Sequence, residues 1–209
     1  VAAVPRLRGF PPQQLANTAW AFATASHAAP TLFDAIARAA VPWLHDFDPQ
    51  NLANTVWAFA TAGQRAPALF DAIAAVAAPR MCEFKPQELA NTAWAFASTG
   101  QRAPALLNAI AMASVPRLRQ FSPQSLANTA WAFATAGQRA PMLFDAIAMA
   151  SVWRLRDSNP QDLANTAWAF ASAGHAATVL LDAIATAAAA RLRDFIPQAL
   201  ANMAWAFAV

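Results

Sequence analysis

Asn17, Asn54, Asn91, Asn128, Asn165 and Asn202 recur at intervals of 37 residues. Each carries an amide that donates and accepts, so each is suited to direct contact with a polar ligand. Just upstream, one position changes from copy to copy: Gln14, Asn51, Glu88, Ser125, Asp162 and Ala199. Three residues before it another does: Pro11, Asp48, Lys85, Ser122, Asn159 and Ile196. Variation confined to two places beside constant polar residues is the pattern of a reader that takes one base per unit. It equally fits helix starts that are solvated and free to drift. The Asn column has its own alternative, a hydrogen bond to a neighbouring helix or loop.

A row of arginines completes the set. Arg80, Arg117, Arg119, Arg154, Arg156, Arg191 and Arg193 recur with the same period, preceded by Arg6 and Arg8. Beside a row of base readers they would serve as phosphate contacts. The ordinary alternative is an Arg at a helix C-terminus, favoured there by the dipole and paired with Asp157 or Asp194. Catalysis has little support. His27, His45 and His175 are far apart, and no Cys–His or paired metal-ligand spacing occurs. No Gly-rich phosphate loop is present. The expectation is therefore no catalytic residue, no metal and no cofactor.

These columns need elements to hold them. PQxLANTAWAFA appears in six copies without insertion, which specifies a stacked repeat array. The predicted units are 10–46, 47–83, 84–120, 121–157 and 158–194, with part of a repeat at 1–9 and a first helix at 195–209; together they make one array over 1–209. Asp48-Pro49, Ser122-Pro123 and Asn159-Pro160 are N-cap and first-turn pairs for helix A. Pro11, Lys85 and Ile196 are poorer caps. Gly63, Gly100, Gly137 and Gly174 end helix A, with Ser26 in that place in the first copy. Pro30, Pro67, Pro104 and Pro141 start helix B, which places Leu69, Phe70 and Ile73 on one stripe opposite Asp71. A further Pro at 42, 79 and 116 should kink or break helix B. Trp153 and Ala190 take that position later and should let the helix run on. Neither helix buries its apolar face alone, so the fold class is all-α, a right-handed α-solenoid of helical hairpins.

On a wheel of about 100° per residue, Leu15, Ala19, Phe22 and Ala23 share one side of helix A. Trp20 is well round from Phe22, so one aromatic should meet helix B and the other the adjacent repeat. The Trp column thus reads as core rather than as a stacking platform. Gln14, Asn17, Thr18 and Ala21 are left as a free stripe lining a groove.

Charged residues are only 12% of the chain and the formal net charge is +3, weak evidence for nucleic acid by itself. The longest uncharged runs are broken by Asn, Thr, Ser, Gly and His, as between Leu163 and Leu181, and read as buried repeat helices rather than membrane spans. Cys82 is the only cysteine, so the fold does not depend on an oxidising compartment.

The FxPQ-xLAN-xxWAFA signature, with its 37-residue period, resembles the octotricopeptide and heptatricopeptide repeat families over the whole chain. That resemblance implies single-stranded RNA binding in a chloroplast or mitochondrion, in RNA processing, stability or translation, and an intracellular location in any case. The alternative is a peptide-binding scaffold; Glu88 and Asp162 in the expected groove favour it. End-to-end self-association is expected from apolar faces near Ala2, Val4, Trp205 and Phe207.

Overall fold

Each PQxLAN motif opens an α-helix, and a Pro or Thr some eighteen residues on opens a second. In the computed structural model, which describes Leu7 and residues 9–209, the order is α1 (Pro12–Thr24), α2 (Pro30–Ala40), α3 (Pro49–Thr61), α4 (Pro67–Ala77), α5 (Pro86–Thr99), α6 (Pro104–Ser114), α7 (Pro123–Thr135), α8 (Pro141–Val152), α9 (Pro160–Ser172), α10 (Thr178–Ala189) and α11 (Pro197–Ala208). Among the described residues there is no strand, and the chain is all-α, a helical-repeat array. Ala2, Val4, Arg6 and Arg8 lie outside the described residues. The array falls into two compact units, Val1–Ile110 and Ala111–Val209, whose boundary lies inside α6.

Within each unit the A helices pack flank to flank far more closely than the B helices do. Alanine permits this: Ala16, Ala19, Ala53, Ala58, Ala127, Ala132, Ala164 and Ala169 are all buried. Leu69, Phe70 and Ile73 are buried on α4 and Asp71 is exposed, as the stripe predicts. The Phe column of helix A meets helix B of the preceding repeat edge to face. The ring centroids are 5.0 Å apart for Phe33–Phe59, 5.0 Å for Phe70–Phe96 and 5.1 Å for Phe144–Phe170. Each buried Phe is worth roughly 1.5–3 kcal/mol, and the pairing adds about 0.5–1.5 kcal/mol.

The ends of helix A follow the sequence closely. Asp48, Ser122 and Asn159 side chains accept from the backbone N–H of Asn51, Ser125 and Asp162 at 2.6, 3.1 and 2.8 Å. Gly63, Gly100, Gly137 and Gly174 have φ of +62°, +68°, +61° and +60°, and Ser26 takes +51° in the first copy. Gln64, one residue beyond Gly63, donates its N–H back to Phe59 O at 2.9 Å and closes the turn.

Helix B does break at Pro42, Pro79 and Pro116: α2, α4 and α6 end just before, and 3-10 turns span Val41–Asp46, Ala78–Glu83 and Val115–Gln120. The expected straight run past Trp153 and Ala190 is not found. α8 ends at Val152 and α10 at Ala189, with a 3-10 turn at Leu192–Asp194. Tertiary anchors hold the break where proline is missing. In the α8–α9 connection Leu155 is buried, as Leu44, Met81 and Leu118 are in theirs. The turns after α4, α8 and α10 also carry an Arg (Arg80, Arg154, Arg191) that reaches back to the first residue of its own repeat (below). At the end of the chain Leu200 and Phe207 are 37% and 45% exposed, whereas their counterparts Leu163 and Phe170 are buried.

Candidate functional site

Each A helix packs on another A helix along at least one flank, and α1, α3, α7 and α9 each pack on the B helix of their own repeat, so the arc they leave open faces away from helix B. The stripe expected there, Gln14–Asn17–Thr18–Ala21, is instead largely the seam between A helices. Thr55, Thr92, Thr129 and Thr166 are buried, and each hydroxyl donates to the carbonyl four residues earlier at 2.7–2.8 Å. Ala58, Ala95, Ala132 and Ala169, in the Ala21 column, are buried too.

The open arc carries Gln, Asn and Trp at i, i+4 and i+7. Gln13, Gln50, Gln87, Gln124, Gln161 and Gln198 are exposed. Asn17 is exposed, and Asn54, Asn91, Asn128, Asn165 and Asn202 are half-buried. In the last two copies the amides are paired on their own helix: Gln161 Nε2 donates to Asn165 Oδ1 at 2.8 Å, and Gln198 Nε2 to Asn202 Oδ1 at 3.1 Å. Both amides keep further donors and acceptors free.

The Trp column is the main correction. Trp57, Trp94, Trp131 and Trp168 are half-buried rather than core, and Trp20 and Trp205 are about half exposed. In the second unit they form a ladder, with centroids 6.4 Å apart for Trp131–Trp168 and 6.3 Å for Trp168–Trp205, the rings tilted by 34° and 36°. The signal was present in the sequence. Trp20 shares its wheel angle with Gln13 and Asn17, whereas the core reading rests on its separation from Phe22 alone.

The variable positions are brought together in pairs, for a structural purpose. Asn51, Glu88, Ser125 and Asp162 are buried, so they are not the accessible base readers expected; Gln14, at the start of α1, is exposed. Each buried residue sits three positions after its partner at a helix start. Asp48 caps Asn51 and Ser122 caps Ser125. Asn159 and Asp162 cap reciprocally, Asp162 accepting the Asn159 N–H at 3.3 Å. Lys85 offers no acceptor, so Glu88 alone closes its turn, accepting the Lys85 N–H at 2.8 Å. Burial pushes the Asp162 carboxyl above the usual carboxylate range, and the Asn159 backbone N–H partly offsets this.

The arginines divide into two sets. Nη1 of Arg80, Arg154 and Arg191 donates to the carbonyl oxygens of Phe47, Phe121 and Ser158, each 33 residues earlier. Arg80 also pairs with Glu83 at 3.1 Å, and Arg191 lies 3.6 Å from Asp194. Arg117 Nε donates to Ala113 O at 2.8 Å. These four are half-buried and tie the chain together. Arg119, Arg156 and Arg193 are exposed. Asp157, offered above as a partner for an Arg, is exposed, and no ion pair to it occurs among the described residues.

Among the described residues no group of three or more His, Cys, Asp or Glu could hold a metal ion, and no helix is long and apolar enough to cross a membrane. No curated protein matches the chain. A family model does, that of the RNA-editing substrate-binding complex 6 protein, and the match runs over residues 1–209. With its whole length covered by that match, this array of helical hairpins belongs to the RNA-editing substrate-binding complex 6 (RESC6) family.

Proposed function

We propose that the chain is a non-enzymatic module that binds single-stranded RNA through the open face of its A helices. The observation that carries this reading is the repeated Gln–Asn–Trp stripe, with its partly exposed Trp ladder in the second unit. Any base can stack on an indole face. Side-chain amides can pair with base edges, which are open only in a single strand. Gln14 and the Asn column therefore remain the base-contacting candidates, joined by the Gln13 and Trp20 columns. Arg156 and Arg193, exposed on the turns that lead into α9 and α11, are the side chains placed for phosphate. Family membership supports a role with RNA and protein partners in an editing-substrate assembly. The resemblance to organellar repeat proteins supports action in a chloroplast or mitochondrion.

Titration of the protein with a single-stranded RNA pool and with duplex RNA tests the reading. The expected result is preference for the single strand. No detectable binding of any single strand at low salt overturns it and leaves a protein-binding scaffold.

A further inference from the structure

Helix α8 carries a second surface, on the B layer. Met142, Ala146, Met149 and Trp153 stand at i, i+4, i+7 and i+11, one continuous stripe. Met142 and Met149 are each 74% exposed, Trp153 is 89% exposed, and Val179 on α10 is 74% exposed. Beside the stripe lies a cavity of about 660 Å³ whose lining includes Pro116, Arg119, Ala146, Met149, Trp153 and Val179.

The repeat supplies an internal control. At the register of Met142 and Val179 the other copies have Thr31, Ala68 and Ala105; at that of Met149 they have Arg38, Ala75, Met112 and Thr186; at that of Trp153 they have Pro42, Pro79, Pro116 and Ala190. Nothing in the fold requires large apolar side chains at these places. Clustered Trp and Met, nearly fully exposed beside an Arg, are the composition of an interface core.

We propose that this face docks an amphipathic helix of a protein partner, its apolar residues against Met142, Met149 and Trp153 and a carboxylate on Arg119. Three features select this occupant. The stripe is about 16 Å long, the length of roughly three helical turns. Arg119 is exposed at the cavity rim, and no carboxylate lines the cavity, so the complementary charge must come from the partner. A second copy would bring Arg119 toward another Arg-lined cavity. For a nucleic acid the stripe offers a single indole to stack on and no amide or hydroxyl, while Met142, Met149 and Val179 give it only apolar surface. The surface belongs to helix B and stands whether or not the A-helix face binds RNA.

The test is fluorescence anisotropy with a labelled synthetic peptide of about four turns, carrying Leu at i, i+3, i+4 and i+7 with flanking Glu. The controls are the same peptide with Lys for Glu and one with the Leu spacing scrambled. The Glu peptide should bind at least about tenfold tighter than either control. Trp153→Ala, which installs the residue found at Ala190, should cost about tenfold or more. Arg119→Glu should reverse the preference toward the Lys peptide. Equal affinity for all three peptides, or no binding of the Glu peptide near 1 mM, a free energy of only about 4 kcal/mol, overturns the proposal. So do dimerisation abolished by Trp153→Ala, which assigns the face to a second copy, and RNA binding weakened by Trp153→Ala, which assigns it to nucleic acid.

Discussion

Arg80 Nη1 donates to the carbonyl oxygen of Phe47 at 2.9 Å across 33 residues of sequence. Phe47 is the buried residue immediately before the α3 cap, so this bond fixes where helix A begins relative to the turn that closes helix B of the same repeat. Arg191 makes the same bond to Ser158 O at 2.9 Å. A charged donor on a half-buried carbonyl contributes about 1.5–3 kcal/mol. Arg191→Ala is therefore expected to lower the unfolding free energy measured in urea by that much while leaving the salt dependence of RNA binding unchanged. A flattened salt slope with unchanged stability would return Arg191 to the phosphate row.

What was legible in the sequence follows from this division of labour. The period, the caps at Asp48, Ser122 and Asn159, and the left-handed glycines are local signals, and the structure realises them. Helix B's break past Trp153 was not legible, because Leu155 and Arg154 enforce it through contacts with distant residues. The open face was misplaced for a related reason. The wheel separates faces but does not reveal that an A helix has neighbours on its flanks, which bury Thr55 and Ala58 and leave Trp57 partly outside. Asn51 and Ser125 looked like surface variation, whereas each varies together with the capping residue three positions before it.

The Trp ladder should respond to a single truncation. Trp168 lies between Trp131 and Trp205 and is half-buried. Trp168→Ala is expected to weaken single-stranded RNA binding by about 1–3 kcal/mol, the range for loss of one stacked base. Unchanged affinity in a folded variant would remove the ladder from the interface. In the same titrations, Arg156→Gln with Arg193→Gln should reduce the salt slope by about 1.4, at about 0.7 per phosphate contact on a single strand.

Ser114 and Ser151 are buried with hydroxyls that lack a hydrogen-bond partner. The other copies use Ala40, Ala77 and Ala188 at this register, all buried. Removing an unsatisfied hydroxyl recovers its desolvation cost, about 1–3 kcal/mol for such a group. Ser114→Ala and Ser151→Ala are each expected to raise the thermal midpoint. A lower midpoint for either variant would mean that its hydroxyl does have a partner in solution.

Asp162 gives the array a pH dependence of definite sign. Burial raises its carboxyl above the ordinary value, so between the unfolded and folded values the folded chain binds the proton more readily than the unfolded chain. Stability from this group therefore falls as pH rises from the unfolded value through the folded one, and is level above it. Asn51 holds the same register in the second repeat, equally buried and uncharged. Asp162→Asn keeps an oxygen to accept the Asn159 N–H but has no proton to lose. Its stability relative to the parent chain is expected to increase as pH is raised from about 3.5, below the ordinary Asp value, to neutrality, measured by urea denaturation at each pH. A relative stability that shrinks over that interval would show that the cap and the helix dipole hold Asp162 charged, with its carboxyl below the ordinary value rather than above it.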